Sequence, residues 1–225
     1  MNVYVIGADT GVGEAVAQLC IDKKHNVGVG LYDYCSASYN RWKQYDNAFV
    51  LNTDVCDESG LRAAAHTLFH RFGSADIVIN TAGLLTVGDR TKNIVENDCS
   101  ELLRMMEVNA YGVLTVFKAF YPHMRRGALY AAVTAGGGTF LMEEPLFPAY
   151  VVSKTAANKI VQTIKNTVQD VRVCAIHPGK VNTPMGRTTA EIEPEESAAG
   201  IYQVISSNGE LPFWFLNYDG SPLPI

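Results

Sequence analysis

Three glycines near the start of the sequence constrain its fold more than any other feature. Gly7, Gly11 and Gly13 stand between the apolar segment 3–6, which predicts a short buried strand, and segment 14–19, which has a helical pattern. Glycine permits tight turns and close backbone approach, and the helix N-terminus that follows offers free N–H groups and the positive end of a dipole to an anion. The same spacing occurs in ordinary turns, but its place at the first strand–helix junction favours a phosphate-binding loop.

The alternation of strands and helices continues along the rest of the chain. Further strands are predicted over residues 27–32, 48–51, 76–80, 127–134, 171–177 and 211–216. Helices are predicted over residues 58–72, 98–126 and 194–206, with another that begins near Tyr150. This order predicts an α/β fold of the Rossmann type, a doubly wound parallel sheet of about seven strands with helices on both faces. No change in composition marks a second domain, so we expect one dinucleotide-binding domain over residues 1–225.

Composition argues against several classes of function. The formal net charge of −5 at pH 7 is unlike that of a general nucleic-acid or anionic-membrane surface. No apolar segment approaches the roughly 20 residues of a membrane span, and the chain opens directly on a strand, so we expect neither a membrane anchor nor a signal peptide. The five cysteines include no Cys-x-x-Cys pair and predict reduced thiols in a cytoplasmic protein.

His66 and His70 lie four residues apart on the predicted helix 58–72, the spacing of a two-ligand metal clip. The pattern offers no third ligand, and histidines on the polar face of an amphipathic helix are ordinarily solvated. We therefore expect a solvated helix face and no metal.

Tyr150 and Lys154 form the candidate general acid/base. A spacing of four residues puts the phenol and the ammonium on one face of a helix, one turn apart. A phenol with its ordinary pKa of about 10 exchanges protons poorly at neutral pH, and a nearby ammonium is expected to lower that pKa. Such pairs also arise by chance on amphipathic helices, so this pair indicates a catalytic function only in combination with the other motifs of the chain.

Asn109 interrupts the apolar stripe of the predicted helix 98–126. An asparagine inside a helix competes for backbone hydrogen bonds, which makes it an unfavourable residue there. We expect its side chain to be either exposed or used to hold another group.

Asp33, at the end of the second predicted strand, bears on the choice of cofactor. An acidic side chain there accepts the adenosine ribose hydroxyls and repels a 2′-phosphate group. Because no basic residue stands at positions 8–10 or 32–35, the sequence leans slightly toward NAD over NADP. Arg41 and Lys43 lie close behind and keep NADP open, since either could fold over the pocket.

Six motifs occur in the order and spacing of one protein family. They are Gly7-x-x-x-Gly11-x-Gly13, Asp54-Val55, Asn80-x-Ala82-Gly83, Asn109, Tyr150-x-x-x-Lys154 and Pro178-Gly179. In this combination the chain resembles the short-chain dehydrogenase/reductase family over essentially its whole length, although no single motif is specific. The segment 178–185, with Pro194-Glu-Glu-Ser197 and Tyr218-Asp-Gly220, is similar to the short C-factor-like carbonyl reductases within that family.

The resemblance implies an NAD or NADP cofactor held at the strand ends. The three glycines would hold the pyrophosphate, and Asp54 with Val55 would hold the adenine. Val181 and Thr183 would orient the nicotinamide carboxamide, while Asn80 would brace a strand end. The implied cofactor-binding residues are Gly7, Thr10, Gly11, Val12, Gly13, Asp33, Asp54, Val55, Asn80, Ala82, Gly83, Tyr150, Lys154, Pro178, Gly179, Val181 and Thr183.

The resemblance also implies catalytic roles. Tyr150 would exchange a proton with the substrate oxygen, and Lys154 would bond the nicotinamide ribose and lower the pKa of the tyrosine. Asn109 would position a water in a proton relay to Lys154. The chain would then move hydride between NAD(P) and a small carbonyl or alcohol substrate, as a homodimer or homotetramer.

One position departs from the family pattern. The family places a serine after the fifth strand, where it hydrogen-bonds the substrate carbonyl, and the best alignment puts Ala135 there. Thr134 or Thr139 would supply the hydroxyl if the intervening glycines bend the loop, and Thr134 is the candidate catalytic residue. Loss of one such donor typically costs about 10²–10³ in rate. The alternative function is therefore a catalytically impaired nucleotide-binding sensor or signalling protein.

Overall fold

One sheet of seven strands carries the fold in the computed structural model, which describes residues 1–141, 147–186, 190–207 and 209–225. The strands are β1 (Asn2–Ile6), β2 (Asn26–Leu31), β3 (Ala48–Asn52), β4 (Ala75–Asn80), β5 (Met124–Val133), β6 (Arg172–His177) and β7 (Phe215–Asn217). Their order across the sheet is β3-β2-β1-β4-β5-β6-β7, and every neighbouring pair is parallel. The predicted doubly wound parallel sheet is confirmed.

Helices cover both faces of this sheet. They are α1 (Gly11–Asp22), α2 (Ser36–Lys43), α3 (Glu58–Phe72), α4 (Cys99–Met105), α5 (Gly112–Phe120), α6 (Pro148–Thr167) and α7 (Pro194–Ser206). Helices α1 and α7 share one apolar cluster with one face of the sheet, and α3, α5 and α6 share a second cluster with the other face. Within the described ranges, the helices fall short of the length or the apolar composition that a membrane crossing requires.

Burial on both faces explains why the strands are continuous apolar segments rather than alternating ones. Along β1, Val3 and Val5 join the cluster of α1 and α7, whereas Tyr4 and Ile6 join the cluster of α3, α5 and α6. Each of these four side chains is fully buried. The sheet therefore sits at the centre of the molecule, and its strand ends are left to form a site.

The strand order reverses beside β1, where chain connections run to β2 on one side and β4 lies on the other. The turn after β1 is tied to both neighbours: the Gly7 N–H donates to the Gly30 carbonyl at 3.0 Å, and the Thr81 N–H donates to the Ile6 carbonyl at 2.8 Å. Ligands of doubly wound sheets bind at such a reversal, outside the carboxyl ends of the strands.

Two predicted elements are wrong in extent. The predicted helix 98–126 is divided into α4, a π-helical turn over Met106–Tyr111 and α5, and it ends at Phe120. Pro122 lacks the N–H that a continuing helix needs, so the chain turns there and β5 begins at Met124. The predicted strand 211–216 is shorter and shifted toward the C-terminus: β7 spans Phe215–Asn217.

Candidate active site

The glycine turn after β1 is packed so tightly that larger side chains do not fit. Gly7 and Gly11 have φ angles of +88° and +61°, which L side chains rarely adopt. A β-carbon at Gly13 would lie 2.2 Å from the Gly7 carbonyl oxygen and 2.3 Å from Oγ1 of Thr81. That Thr81 hydroxyl donates to the carbonyl oxygens of Ile6 and Gly7 at 2.9 Å. The N-terminus of α1 therefore lies directly against the backbone of the turn, with no side chain between them. This geometry suits a phosphate group.

A cavity of about 430 Å³ opens between this turn and the start of α6. The predicted site residues that line it are Thr10, Gly11, Val12, Gly13, Gly83, Thr134, Tyr150, Lys154, Pro178, Gly179, Val181 and Thr183. The predicted residues that do not line it are Gly7, Asp33, Asp54, Val55, Asn80, Ala82 and Asn109. The glycine turn and the Tyr150–Lys154 pair, far apart in sequence, border one space.

Several predicted cofactor residues do not line this cavity. Asn80 is 2% exposed, and its Oδ1 accepts the N–H of Ala82 at 3.1 Å, as a role in bracing the strand end requires. Val55 is also buried. The Asp54 carboxylate accepts the N–H of Cys56 at 2.8 Å. The contacts of Asp54 and Val55 with adenine stay a prediction.

A second acidic residue joins Asp33 at the end of β2. The Asp9 carboxylate accepts the backbone N–H groups of Tyr32 at 3.1 Å and Asp33 at 2.7 Å. The Asp33 side chain itself is exposed. Two carboxylates therefore stand at the end of β2, where an acidic side chain is expected to accept the adenosine ribose hydroxyls.

Lys154 is almost fully buried beside Tyr150. Its Nζ donates to the Val133 carbonyl at 3.2 Å and lies 5.5 Å from the centroid of the Tyr150 ring. Burial lowers the pKa of Lys154 to about 8, because the ammonium loses hydration. Burial likewise raises the pKa of Tyr150 to about 12, and Arg90 is the cation that opposes this rise. Burial outweighs the opposing charge here, so the net pKa of the phenol is raised rather than lowered, and the contribution of Lys154 stays a prediction.

Asn109 lies on the π-helical turn and is 1% exposed. Its Oδ1 accepts the Leu84 N–H at 2.7 Å, and its Nδ2 donates to the Leu84 carbonyl at 2.8 Å and to Ser153 Oγ at 2.9 Å. Ser153 Oγ donates in turn to the Tyr150 carbonyl at 2.7 Å. Of the two alternatives that the sequence leaves open for Asn109, an exposed side chain or one that holds another group, the structure shows the second. Its role in a water relay to Lys154 stays a prediction.

The first turn of α6 is capped by a buried carboxylate from a distant part of the chain. Asp89 is 1% exposed and accepts the backbone N–H groups of Ala149 and Tyr150, each at 2.9 Å. It also accepts Nδ2 of Asn97 at 2.6 Å. These N–H groups have no partner within the helix, and a negative charge at a helix N-terminus is favourable. Asp89 therefore positions the backbone of Tyr150.

Replacing Asp89 by Ala is expected to lower the free energy of unfolding by about 2–3 kcal/mol, because buried N–H groups lose a charged acceptor. Urea unfolding measures the change. Asp98→Ala is the matched control: Asp98 caps α4 from an exposed position by accepting the Ser100 N–H at 2.8 Å. Loss of such a cap costs about 1 kcal/mol. A cost for Asp89→Ala no larger than the control's would show that Asp89 does not hold α6.

Two threonines and a histidine are candidate polar side chains in the region of Ala135. Thr134 is 2% exposed, and its Oγ1 is enclosed without a hydrogen-bond partner among the described residues. Thr139 is buried as well, and its Oγ1 accepts the Leu141 N–H at 3.1 Å. His177, at the end of β6, lines the same cavity as Ala135 and Thr134. The catalytic role of Thr134 stays a prediction.

Four residues of this region are missed by the sequence patterns: Asp9, Asp89, Arg90 and His177. Asp9 and His177 do carry a signal, since Asp9 lies inside the glycine motif and His177 directly precedes Pro178-Gly179. Asp89 and Arg90 carry none, because they belong to a 3₁₀ turn in the irregular segment between β4 and α4.

His66 and His70 lie on an exposed face of α3 with their Nε2 atoms 3.0 Å apart. Across the part of the chain that the structure describes, no three His, Cys, Asp or Glu side chains are grouped as a metal site needs. His66 and His70 therefore have no third such ligand grouped with them among the described residues.

The profile of the family described as short chain dehydrogenase matches residues 1–194. The chain belongs to this family, and the resemblance drawn from its motifs is confirmed. A known relative is the short chain dehydrogenase gsfK of Penicillium aethiopicum, 31% identical over 200 residues that cover 79% of this chain and 78% of that protein.

Two further comparisons agree with this assignment. The C-signal protein of Myxococcus xanthus is 30% identical over 158 residues, which cover 68% of this chain and 93% of that protein. A short-chain dehydrogenase/reductase from Burkholderia multivorans, solved with bound NADP, has the same fold. It matches with a TM-score of 0.89 at 23% identity, over 99% of this chain and 98% of that one.

Proposed function

We propose that the chain is an NAD(P)-dependent oxidoreductase that reduces a small carbonyl compound or oxidises the matching alcohol. The observation that carries this proposal is that the glycine turn, Tyr150 and Lys154 line the same cavity. Membership of the short chain dehydrogenase family supports the same class of reaction. The bound NADP of the Burkholderia multivorans relative supports a dinucleotide as the ligand of the glycine turn.

The residues around the turn fit such a cofactor. Gly11 and Gly13 put no side chain between the backbone and a pyrophosphate, and a β-carbon at Gly13 would push α1 away from the turn by colliding with the Gly7 carbonyl oxygen and the Thr81 hydroxyl. Gly83 keeps the space beside Lys154 open, since a β-carbon there would lie 3.4 Å from Nζ. Thr183, which packs against Gly11, closes the opposite side, where the carboxamide of a nicotinamide would lie.

The bound cofactor would supply or accept the hydride. Tyr150 would donate its proton to the oxygen of the carbonyl as that carbonyl is reduced, because its raised pKa keeps the phenol protonated at neutral pH. The phenolate left behind is stabilised by the positive charges of Lys154 and Arg90. Asp89 and Ser153 hold the backbone N–H and carbonyl of Tyr150, so its ring starts from a fixed position.

Turnover of small aldehydes and ketones tests the proposal. The purified protein is incubated with NADH or NADPH and each compound, and loss of the reduced cofactor's absorbance is followed. We expect turnover with at least one carbonyl and with one of the two cofactors. Absence of turnover above the protein-free background across the panel would refute the oxidoreductase function.

We expect NADH to bind more tightly than NADPH, by at least about tenfold in Kd, because one like-charge contact near a protein surface costs about 1–4 kcal/mol. Asp9 and Asp33 would repel a 2′-phosphate at the end of β2. Arg41 is paired with the Glu14 carboxylate. Lys43 places its Nζ 5.4 Å from the centroid of an aromatic ring, so both nearby cations already have partners.

Isothermal titration with the two cofactors measures this ratio. Asp33→Ser is expected to bring the Kd values for NADH and NADPH closer together, because it removes one of the two carboxylates. Asp46→Ser is the matched control, because it removes the same charge from an exposed position outside the site and should leave the ratio unchanged. Tighter binding of NADPH than of NADH by the unaltered protein would contradict the preference.

Nucleotide binding without turnover, as in a sensor or signalling protein, is the second candidate function. Ala135 favours it, because the substrate carbonyl loses the hydroxyl that the family provides there. The two functions separate on one variant: in a non-catalytic binder with an otherwise sound site, Ala135→Ser gains turnover from none. Tight NADH binding with no turnover in the unaltered protein would support this second function.

We further propose that the chain is cytoplasmic and assembles as a homodimer or homotetramer. Leu103, Tyr111 and Val152 expose 69%, 50% and 45% of their surface along α4, the π-helical turn and α6, where a partner subunit would cover them. Cys20 and Cys174 are fully buried thiols, as a reducing compartment allows. Size-exclusion chromatography with light scattering tests the assembly, and a monomer at all concentrations would refute it.

A further inference from the structure

His177 lies beside the position where the family serine is missing. The register of β5 and β6 pairs Val133 with Ile176, so Thr134 and His177 are the next residues on the two strands. The imidazole contacts the loop that follows Ala135: a β-carbon at Gly136 would lie 3.2 Å from both Nε2 and Cδ2 of the ring. His177 also lines the cavity that holds Tyr150. It also lines a neighbouring cavity together with Gly136 and Thr139, so the ring borders both spaces, including the one into which a substrate of Tyr150 would bind.

The two ring nitrogens of His177 are in different surroundings. Nδ1 is enclosed and has no hydrogen-bond partner among the described residues, whereas Nε2 is not enclosed. Burial, with a contribution from Lys180, lowers the pKa of His177 to about 4, so the ring is neutral at physiological pH and carries a single N–H. An enclosed N–H without an acceptor is costlier than an enclosed lone pair. The proton is therefore assigned to Nε2, the nitrogen that faces open space.

We propose that the Nε2–H group of His177 donates to the substrate carbonyl oxygen the hydrogen bond that Ala135 cannot supply. This inference rests on the proposed oxidoreductase function. His177 and Tyr150 would then be the two donors at the reacting oxygen: Tyr150 transfers its proton, and His177 stabilises the developing negative charge without transferring one.

The two threonines are less suited to this task. The Thr134 hydroxyl oxygen is enclosed, so a substrate oxygen cannot approach it without a change of rotamer. Thr139 already accepts the N–H of Leu141 and does not line the Tyr150 cavity. Thr134 and His177 both line the Tyr150 cavity, but of the two only His177 has a donor atom that is not enclosed and has no partner among the described residues.

A double-mutant cycle with Ala135 tests the proposal. His177→Ala is expected to lower kcat by about 10²–10³-fold, the usual loss for one oxyanion donor. Ala135→Ser placed in the His177→Ala background is expected to restore most of that loss, because the serine hydroxyl supplies the missing donor. The same Ala135→Ser change in the unaltered protein should have a much smaller effect. His177→Gln, whose amide can donate, should retain more activity than His177→Ala.

Two controls separate catalysis from folding. The Kd for the preferred cofactor and the Tm should be unchanged in His177→Gln, and His70→Ala on the exposed face of α3 should match the unaltered protein in every assay. Nitrogen-15 NMR of the histidine rings gives a readout that does not depend on turnover. We expect His177 to be the neutral Nε2–H tautomer at pH 7.

The outcomes are distinguishable. An unaltered protein without turnover overturns the proposed function and this inference together. An active protein whose kcat is unchanged in both His177 variants overturns only the inference. A neutral Nδ1–H tautomer, or failure of Ala135→Ser to restore any activity to His177→Ala, overturns it as well.

Discussion

Changing Tyr150 to Phe is expected to lower kcat for carbonyl reduction by about 10²–10⁴-fold, the usual contribution of a positioned general acid. The change removes the hydroxyl that would protonate the substrate oxygen and leaves the aromatic ring. Asp89 and Ser153 contact only the backbone of Tyr150, so the start of α6 should keep its position. The Kd for the preferred cofactor should therefore change little while kcat falls.

Steady-state kinetics with the best carbonyl of the panel, together with cofactor titration, measures both quantities. Tyr111→Phe is the matched control, because it removes the same hydroxyl from a tyrosine that is 50% exposed on the π-helical turn. It should leave kcat unaltered. Equal kcat values for Tyr150→Phe and the unaltered protein would show that Tyr150 is not the acid and that another group protonates the product.

The parts of the fold that depend on chain order and apolar pattern are predictable from this sequence. Parallel strands buried on both faces are continuous apolar segments, and right-handed crossovers bring all their carboxyl ends to one rim. For this reason Gly11, Gly13 and Tyr150 line one cavity, although α1 and α6 lie far apart in the chain. No knowledge of side-chain packing is needed for that step.

Features that depend on how irregular segments pack are not predictable in this way. Asp89 reaches α6 only because its 3₁₀ turn folds back onto the helix, and no periodic pattern describes that turn.

The pKa of Tyr150 illustrates a second limit of prediction from sequence. Spacing places Lys154 one turn away and predicts a lowered pKa, but burial raises the pKa of the phenol to about 12 against the opposing charge of Arg90. Desolvation depends on the surrounding volume, which a sequence does not display.

His177 is not predicted as a site residue, because it stands just outside the Pro178-Gly179 motif. Pro178-Gly179 directs attention to the loop after β6, whereas the last residue of the strand carries the polar group that reaches the cavity. The absence of a serine at position 135 is visible in the sequence. The replacement for that serine is not visible in the sequence, because the donor that we propose, His177, lies on a different strand.

Gly13→Ala is expected to weaken binding of the preferred cofactor by about 100-fold, because losing one or two hydrogen bonds to a charged phosphate costs about 1.5–3 kcal/mol. The added methyl group would overlap the Gly7 carbonyl oxygen and the Thr81 hydroxyl, at 2.2 and 2.3 Å. The Gly7 carbonyl belongs to the backbone and cannot rotate away, so the first turn of α1 must shift. Overpacking of this kind also lowers the free energy of unfolding by about 1–3 kcal/mol.

Gly137→Ala is the matched control for this substitution. A β-carbon at Gly137 would lie 3.5 Å from Cγ2 of Val151, an ordinary van der Waals contact, so the same methyl group is tolerated there. Urea unfolding and cofactor titration of both variants separate the local effect from a general one. If Gly13→Ala bound the cofactor as tightly as Gly137→Ala does, the turn after β1 would not be the phosphate site, and the cofactor would have to enter the cavity from another side.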